Sequence, residues 1–137
     1  MGRRPARIAI IEDESVLGSV LAELLADEGY ESVQHTQAAG GHDFVVEQKP
    51  DLVLLDLMFD REAQGWGILD AHIVDPRTRG IPIILMTADT RAVATRRDRL
   101  AELKIPVLMK PFELAQVLEM IARSLRPGDD NRLRVVS

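Results

Sequence analysis

The chain contains no cysteine. Disulfides, thiolate metal sites and thiol nucleophiles are therefore excluded. Aromatic residues make up only 4%, so Ile, Leu, Val and Ala must fill any core. No apolar run approaches the roughly 20 residues of a membrane span. The start, Met1-Gly2-Arg3-Arg4-Pro5-Ala6-Arg7, is basic, but only Ile8 to Ile11 follow before Glu12-Asp13-Glu14. That stretch is too short for a signal-peptide core, and Ala6 stands where a myristoylation motif has Ser or Thr. An excess of positive charge is missing as well. The formal net charge is -5, the wrong sign for a nucleic-acid binder. These absences together predict a cytoplasmic protein with neither a nucleic-acid nor a membrane partner.

What remains is an ordinary globular composition. The chain has 137 residues, 46% apolar and 28% charged, enough for one domain around one core. Short apolar runs alternate with helical patterns. Residues 6–11, 30–35, 51–56, 82–87 and 105–109 read as strands. The run Leu52-Val53-Leu54-Leu55 has the continuous apolar character of a central parallel strand. Between the strands, helices are expected from Ser15 to the stop at Gly29, weakly over 36–48 around Gly40-Gly41, over 65–74, over 91–103 and over 112–125. Residues 57–64 read as a polar loop. We expect a frayed end at 1–5, one domain at 6–125 and a polar tail at 126–137. Five β–α repeats imply a doubly wound parallel sheet with helices on both faces.

In such sheets, ligands sit at the carboxyl ends of the strands. The first strand ends on Glu12 and Asp13, the third on Asp56, the fourth on Thr87 and the fifth on Lys110. Three carboxylates, a hydroxyl and an ammonium would thus meet at one rim. Carboxylates roughly 5 Å apart repel by about 3 kcal/mol per pair at an effective dielectric of about 20. A hard divalent cation relieves that repulsion, and an all-oxygen donor set suits Mg²⁺, with Mn²⁺ as the alternative. The cation and Lys110 would neutralise phosphoryl oxygens during in-line transfer, with Asp56 as nucleophile and Thr87 donating to a phosphoryl oxygen.

With these motifs in order, the chain resembles a response-regulator receiver domain of the stand-alone, chemotaxis-regulator kind. The residues that carry the resemblance are Glu12-Asp13, Asp56, Thr87-Ala88 and Lys110-Pro111-Phe112, and it extends over about residues 6–125. It implies a flavodoxin-like sheet of order 2-1-3-4-5 with five helices. It also implies Mg²⁺ held directly by Asp13 and Asp56, through water by Glu12, and by the backbone carbonyl of Met58. Lys110 would contact the phosphoryl group, and the Lys110–Pro111 bond is often cis in the family.

Two departures stand out. Asp60 occupies the place of a family proline, and Gly65 comes one residue later than the family glycine. Val107 stands where many receivers place the Tyr, Phe or His that turns inward during switching. Among the other notable side chains, His35, His42 and His72 lack ligand-like spacing, so surface or edge roles are expected. Trp66 reads as packing, Asp60 and Glu62 as a solvated loop, and the arginines of 91–99 as either a solvated face or a patch for an acidic partner.

The resemblance implies a phosphoprotein of a two-component system or phosphorelay. It would receive its phosphoryl group from a histidine kinase or histidine phosphotransfer protein. Output would be altered binding to a downstream protein through residues 91–125, or a homodimer, because 137 residues leave no room for an output domain. Activity would not exceed slow autodephosphorylation. Rival readings are a phosphorylation-independent adaptor, a hydrolase of the haloacid dehalogenase type and a flavin carrier. The hydrolase wants a general acid where Met58 stands. The flavin carrier wants a phosphate loop where Glu12-Asp13-Glu14 would repel one.

Overall fold

A computed structural model describes residues 4–126. Five strands, β1 (Arg7–Ile11), β2 (Glu31–His35), β3 (Leu52–Asp56), β4 (Ile83–Thr87) and β5 (Val107–Met109), alternate with helices. They form one parallel sheet of order β2-β1-β3-β4-β5. The helices are α1 (Ser15–Asp27), α2 (Gly41–Gln48), α3 (Gly65–Val74), α4 (Thr90–Ala94), α5 (Arg97–Leu103) and α6 (Leu114–Leu125). Class, strand number and strand order agree with the expectation, and the described residues form six helices rather than the five expected.

The two-residue period of each strand divides the core into two layers. Ala9, Ile11, Val53, Leu55, Ile83 and Leu85 pack with Val45 of α2, Ile68 and Leu69 of α3, and Leu100 of α5. Ile8, Ile10, Leu52, Leu54, Ile84 and Met86 face the other way, against Leu21 and Leu25 of α1 and Val117 and Ile121 of α6. All five residues of β3 and of β4 are buried, and each such aliphatic side chain contributes about 1.5–3 kcal/mol. This rigid centre fixes where the end of β3 points. Among the described residues, no helix is long and apolar enough to cross a membrane.

Several boundaries differ from the sequence pattern for local reasons. The helix expected over 91–103 is two helices. Thr95 Oγ1 donates to the Ala92 carbonyl at 2.7 Å, competing for a helical acceptor, and Arg96 leaves helical geometry with φ -125° and ψ 21°. The helix expected over 36–48 starts only at Gly41, because Gly40 is left-handed with φ 75°. A side chain at Gly41 would meet Ile68 Cδ1 at 2.6 Å. Strand β5 is shorter than expected, and α6 begins after a reciprocal cap between Glu113 and Gln116. Of the end expected to fray, residue 4 is held: the Arg4 guanidinium donates to both oxygens of Asp51, at 3.0 and 3.3 Å. The rest of that end, 1–3, and the tail 127–137 lie outside the described residues.

The histidine expectation is corrected. His72 on α3 is 1% exposed, and its Nε2 lies 2.8 Å from the Ile81 carbonyl. Thr78 Oγ1 donates to the His72 carbonyl at 2.9 Å, closing the turn that leads into β4. His42 Nε2 lies 2.8 Å from Asp75 Oδ2, so it ties α2 to the end of α3. His35 does sit on the edge strand, stacked on Phe44 with ring centroids 5.0 Å apart.

Candidate functional site

Parallel strands with right-handed crossovers put every strand's carboxyl end on one rim. Glu12 follows β1, Asp56 ends β3, Thr87 ends β4 and Lys110 follows β5. The structure brings the acids together: one carboxylate oxygen each from Glu12, Asp13 and Asp56 lies within 4.8 Å of the others. Asp13 is exposed, whereas Glu12 and Asp56 are only 2% and 3% exposed. Lys110 Nζ donates to Asp56 Oδ2 at 2.8 Å and to Glu12 Oε1 at 3.1 Å. The other Asp56 oxygen, Oδ1, accepts the Met58 N–H at 2.9 Å, and Glu12 Oε2 accepts the Glu14 N–H at 3.1 Å. Both Asp56 oxygens are therefore oriented before any ligand arrives.

Electrostatics follow from that burial. Loss of solvent, and then the neighbouring Asp56 carboxylate, push the Glu12 carboxyl up to about 8, against the Glu14 N–H and Lys110. Burial works against the Lys110 charge, but hydrogen bonding and attraction to Asp56 and then Glu12 prevail and raise its pKa. One ammonium thus faces a surplus of negative charge. Three oxygen donors at this spacing, with one exposed to solvent, fit a hard divalent cation.

A cavity of about 750 Å³ opens beside the cluster, with Asp13, Asp56, Met58 and Lys110 in its lining together with Asp60, Arg61 and Arg91. Glu12 and Thr87 are buried and are not among its lining residues. Thr87 Oγ1 accepts the Asp89 N–H at 3.0 Å, and Asp89 Oδ1 in turn caps α4 through the Ala92 N–H at 3.0 Å. The sequence reading passed over this Asp89 cap. Its signal was present, since an Asp immediately before a helical stretch is a standard N-cap.

The loop 57–64, expected to be polar, contains a tight hairpin. Phe59 and Glu62 exchange backbone hydrogen bonds at 2.8 and 2.9 Å. Asp60 and Arg61 between them are both left-handed, with φ 52° and 64°, the signature of a type I′ turn. Proline, fixed near φ -65°, cannot occupy position 60, which accounts for its replacement. The loop then returns through the Gly65 N–H to the Leu57 carbonyl at 2.8 Å. A Cβ on Gly65 would lie 2.6 Å from the Asp56 carbonyl oxygen and 2.7 Å from Leu57 Cα. The displaced glycine is thus required where it stands. The Lys110–Pro111 bond is cis.

Comparison with known proteins agrees with this geometry. The model of the response regulator receiver domain matches residues 8–122. The chain belongs to that family. It is a receiver domain of a response regulator in two-component signalling, and its relatives include the DNA-binding response regulator MtrA of Mycolicibacterium paratuberculosis. That protein is 30% identical over 133 residues, which cover 96% of this chain and 56% of the relative. The transcriptional regulatory protein PdtaR of Mycobacterium tuberculosis is 36% identical over 121 residues, covering 85% of this chain and 55% of the relative. The chain spans about half the length of the curated relatives it matches. Among solved structures, the receiver domain of a Pseudomonas aeruginosa sensor histidine kinase superposes with a TM-score of 0.74 at 22% identity, covering 88% of this chain and 98% of that one. That crystal structure has a magnesium ion coordinated in its active-site cleft. Receiver domains bind Mg²⁺ at their acidic site and interact with histidine kinases or phosphotransfer proteins.

Proposed function

We propose that this receiver takes a phosphoryl group onto Asp56 in a Mg²⁺-dependent reaction and signals by altered binding to a partner protein. The donor would be a histidine kinase or a histidine phosphotransfer protein in the cytoplasm. The observation that carries this reading is the Asp56 carboxylate: it is buried, held by Lys110 on one oxygen and by the Met58 N–H on the other, and set within 4.8 Å of two further carboxylates.

In the reaction an Asp56 oxygen attacks phosphorus. The new O–P bond forms as the donor's P–N bond breaks, and the imidazole leaves with its electron pair. Lys110 lies next to the attacking carboxylate and would compensate charge on the phosphoryl oxygens. Glu12, Asp13 and Asp56 would hold the Mg²⁺, together with the Met58 carbonyl, and the ion supplies charge neutralisation for the transfer. Thr87, whose Oγ1 accepts the Asp89 N–H, would turn to donate its O–H to a phosphoryl oxygen, which links Asp56 to the cap of α4. Return to the resting state is hydrolysis of the acyl phosphate, so the chain is a switch with at most slow autodephosphorylation.

The test is incubation with acetyl phosphate and Mg²⁺ followed by intact mass measurement. One added phosphoryl group is expected, lost in Asp56→Asn. A folded wild type that stays unmodified with metal present would favour a phosphorylation-independent adaptor, the reading to which the missing ring at Val107 also points.

A further inference from the structure

Trp66, the only tryptophan of the chain, lies in the first turn of α3. The Arg96 guanidinium stands 4.4 Å from its ring centroid, and Arg96 Nη1 donates to Asp70 Oδ1 at 2.7 Å. Trp66 and Asp70 are four residues apart on α3 and so share one helix face. Arg96 grips that face from the break between α4 and α5.

Both ends of this clamp lead back to Asp56. On one side, α3 is seated on the end of β3: the Gly65 N–H bonds the Leu57 carbonyl, and there is no space for even a methyl group between Gly65 and the Asp56 backbone. Trp66 follows directly. On the other side, Thr87 accepts the Asp89 N–H, Asp89 caps α4, and α4 leads to Arg96. No residue of α4 is buried, and a helix this short does not persist on its own. Segment 89–96 is held by its cap at one end, by Arg96 at the other and, between them, by the half-buried Val93 against the core, a sparsely anchored, low-stability kind of element that small perturbations move. Val107 on β5 has no ring to serve as an alternative link.

We propose that Arg96 is a positioning residue that couples the charge state of Asp56 to the surface formed by α4 and α5. Its stack on Trp66 and its ion pair with Asp70 make 89–103 follow the acceptor loop. The inference rests on Asp56 being the phosphoacceptor, and its test separates the two.

Wild type, Arg96→Gln, Arg96→Lys and Asp70→Asn are each labelled with acetyl phosphate and Mg²⁺, and three quantities are read: mass, Trp66 emission and amide exchange across 89–103. In wild type, labelling should change Trp66 emission and alter exchange in 89–103 by on the order of threefold or more. Arg96→Gln should still be labelled but lose at least half of the exchange response. Arg96→Lys and Asp70→Asn, which each keep part of the clamp, should fall between. Urea unfolding of each variant confirms that it is folded. An Arg96→Gln protein that is labelled and shows the full wild-type exchange response overturns the coupling alone. A wild type that is never labelled removes both the phosphoacceptor reading and the coupling built on it.

Discussion

Lys110 donates to Asp56 across 2.8 Å, and the Lys110 side chain is 20% exposed while that of Asp56 is 4% exposed. The pair holds three things in one place: the end of β3, the start of the cis turn after β5, and a carboxylate that would otherwise face Glu12 unshielded. Truncating one member of a buried ion pair is more damaging than never having had it, because the partner charge stays buried. Lys110→Ala is therefore expected to lower metal-free stability by about 1–3 kcal/mol, below the roughly 3–5 kcal/mol of a fully buried pair because Lys110 retains some solvent. Urea unfolding in EDTA measures it. An unchanged midpoint would mean that solvent, not Lys110, balances the acids.

The hairpin at Asp60 and Arg61 gives a second expectation. Two successive non-glycine residues hold positive φ there, and each left-handed residue of this kind costs about 1 kcal/mol. Asn-Gly is the preferred pair for a type I′ turn. Replacing Asp60-Arg61 by Asn-Gly should raise the urea midpoint by an amount worth about 1 kcal/mol, while Asp60→Pro should lower it. If the double variant is destabilised, Arg61 makes a contact in the cavity that outweighs its backbone strain.

Much of this was legible in the sequence. Continuous apolar strands are visible without structure because both faces of β3 and β4 are buried, and strand ends locate Glu12, Asp56, Thr87 and Lys110 by topology alone. What was not legible depended on φ or on tertiary contact. The type I′ turn needs left-handed Asp60 and Arg61, for which neither residue is a strong signal. The break at Arg96 follows from one Thr95 hydroxyl, and Val16 and Val20, apolar residues one turn apart on α1, are 76% and 42% exposed. His72 resembled a surface residue because its partner, the Ile81 carbonyl, belongs to the following loop.

His72 also sets a pH dependence. Burial, more than anything else, holds its pKa below the ordinary 6.5, while the bond to the Ile81 carbonyl opposes this and His42 adds to it. The folded protein therefore keeps His72 neutral where the unfolded chain takes up a proton. That contribution is complete above the unfolded value and is lost as pH falls through the folded one. Glu12 acts with the opposite sign, since its raised pKa favours folding at low pH and the benefit fades as pH rises through about 8. A comparison of wild type with His72→Asn in urea, from about pH 7.5 to about pH 5.5, cancels the Glu12 part. The variant should be less stable at the upper end but lose less on acidification. One proton limits the difference in slope to about 1.4 kcal/mol per pH unit. Parallel curves would show that His72 takes up its proton equally in the folded and unfolded states, so that burial does not hold it neutral.

The acid cluster carries the last expectation. Glu12, Asp13 and Asp56 converge within 4.8 Å, and Lys110 touches only Glu12 and Asp56. Among the described residues, Asp13 therefore adds its charge with no partner cation of its own, and its one hydrogen bond is weak: Asp13 Oδ2 accepts the Asp60 N–H at 3.4 Å. Repulsion should outweigh that contact, so Asp13→Ala should raise metal-free stability by about 1 kcal/mol, well under the gross Coulomb sum because Asp13 is solvated. Mg²⁺ reverses the order. A ligand that binds only the folded state adds about 2.7 kcal/mol at a hundred times its Kd. Wild type should gain stability in millimolar Mg²⁺, by an amount set by the ratio of Mg²⁺ to its Kd, and Asp13→Ala should lose most of that gain along with labelling at Asp56. Urea unfolding of both proteins, with EDTA and with Mg²⁺, decides the matter. If Asp13→Ala is the less stable protein in EDTA and both gain equally from Mg²⁺, then Asp13 serves as a cap for the hairpin, and the cation is held by other groups.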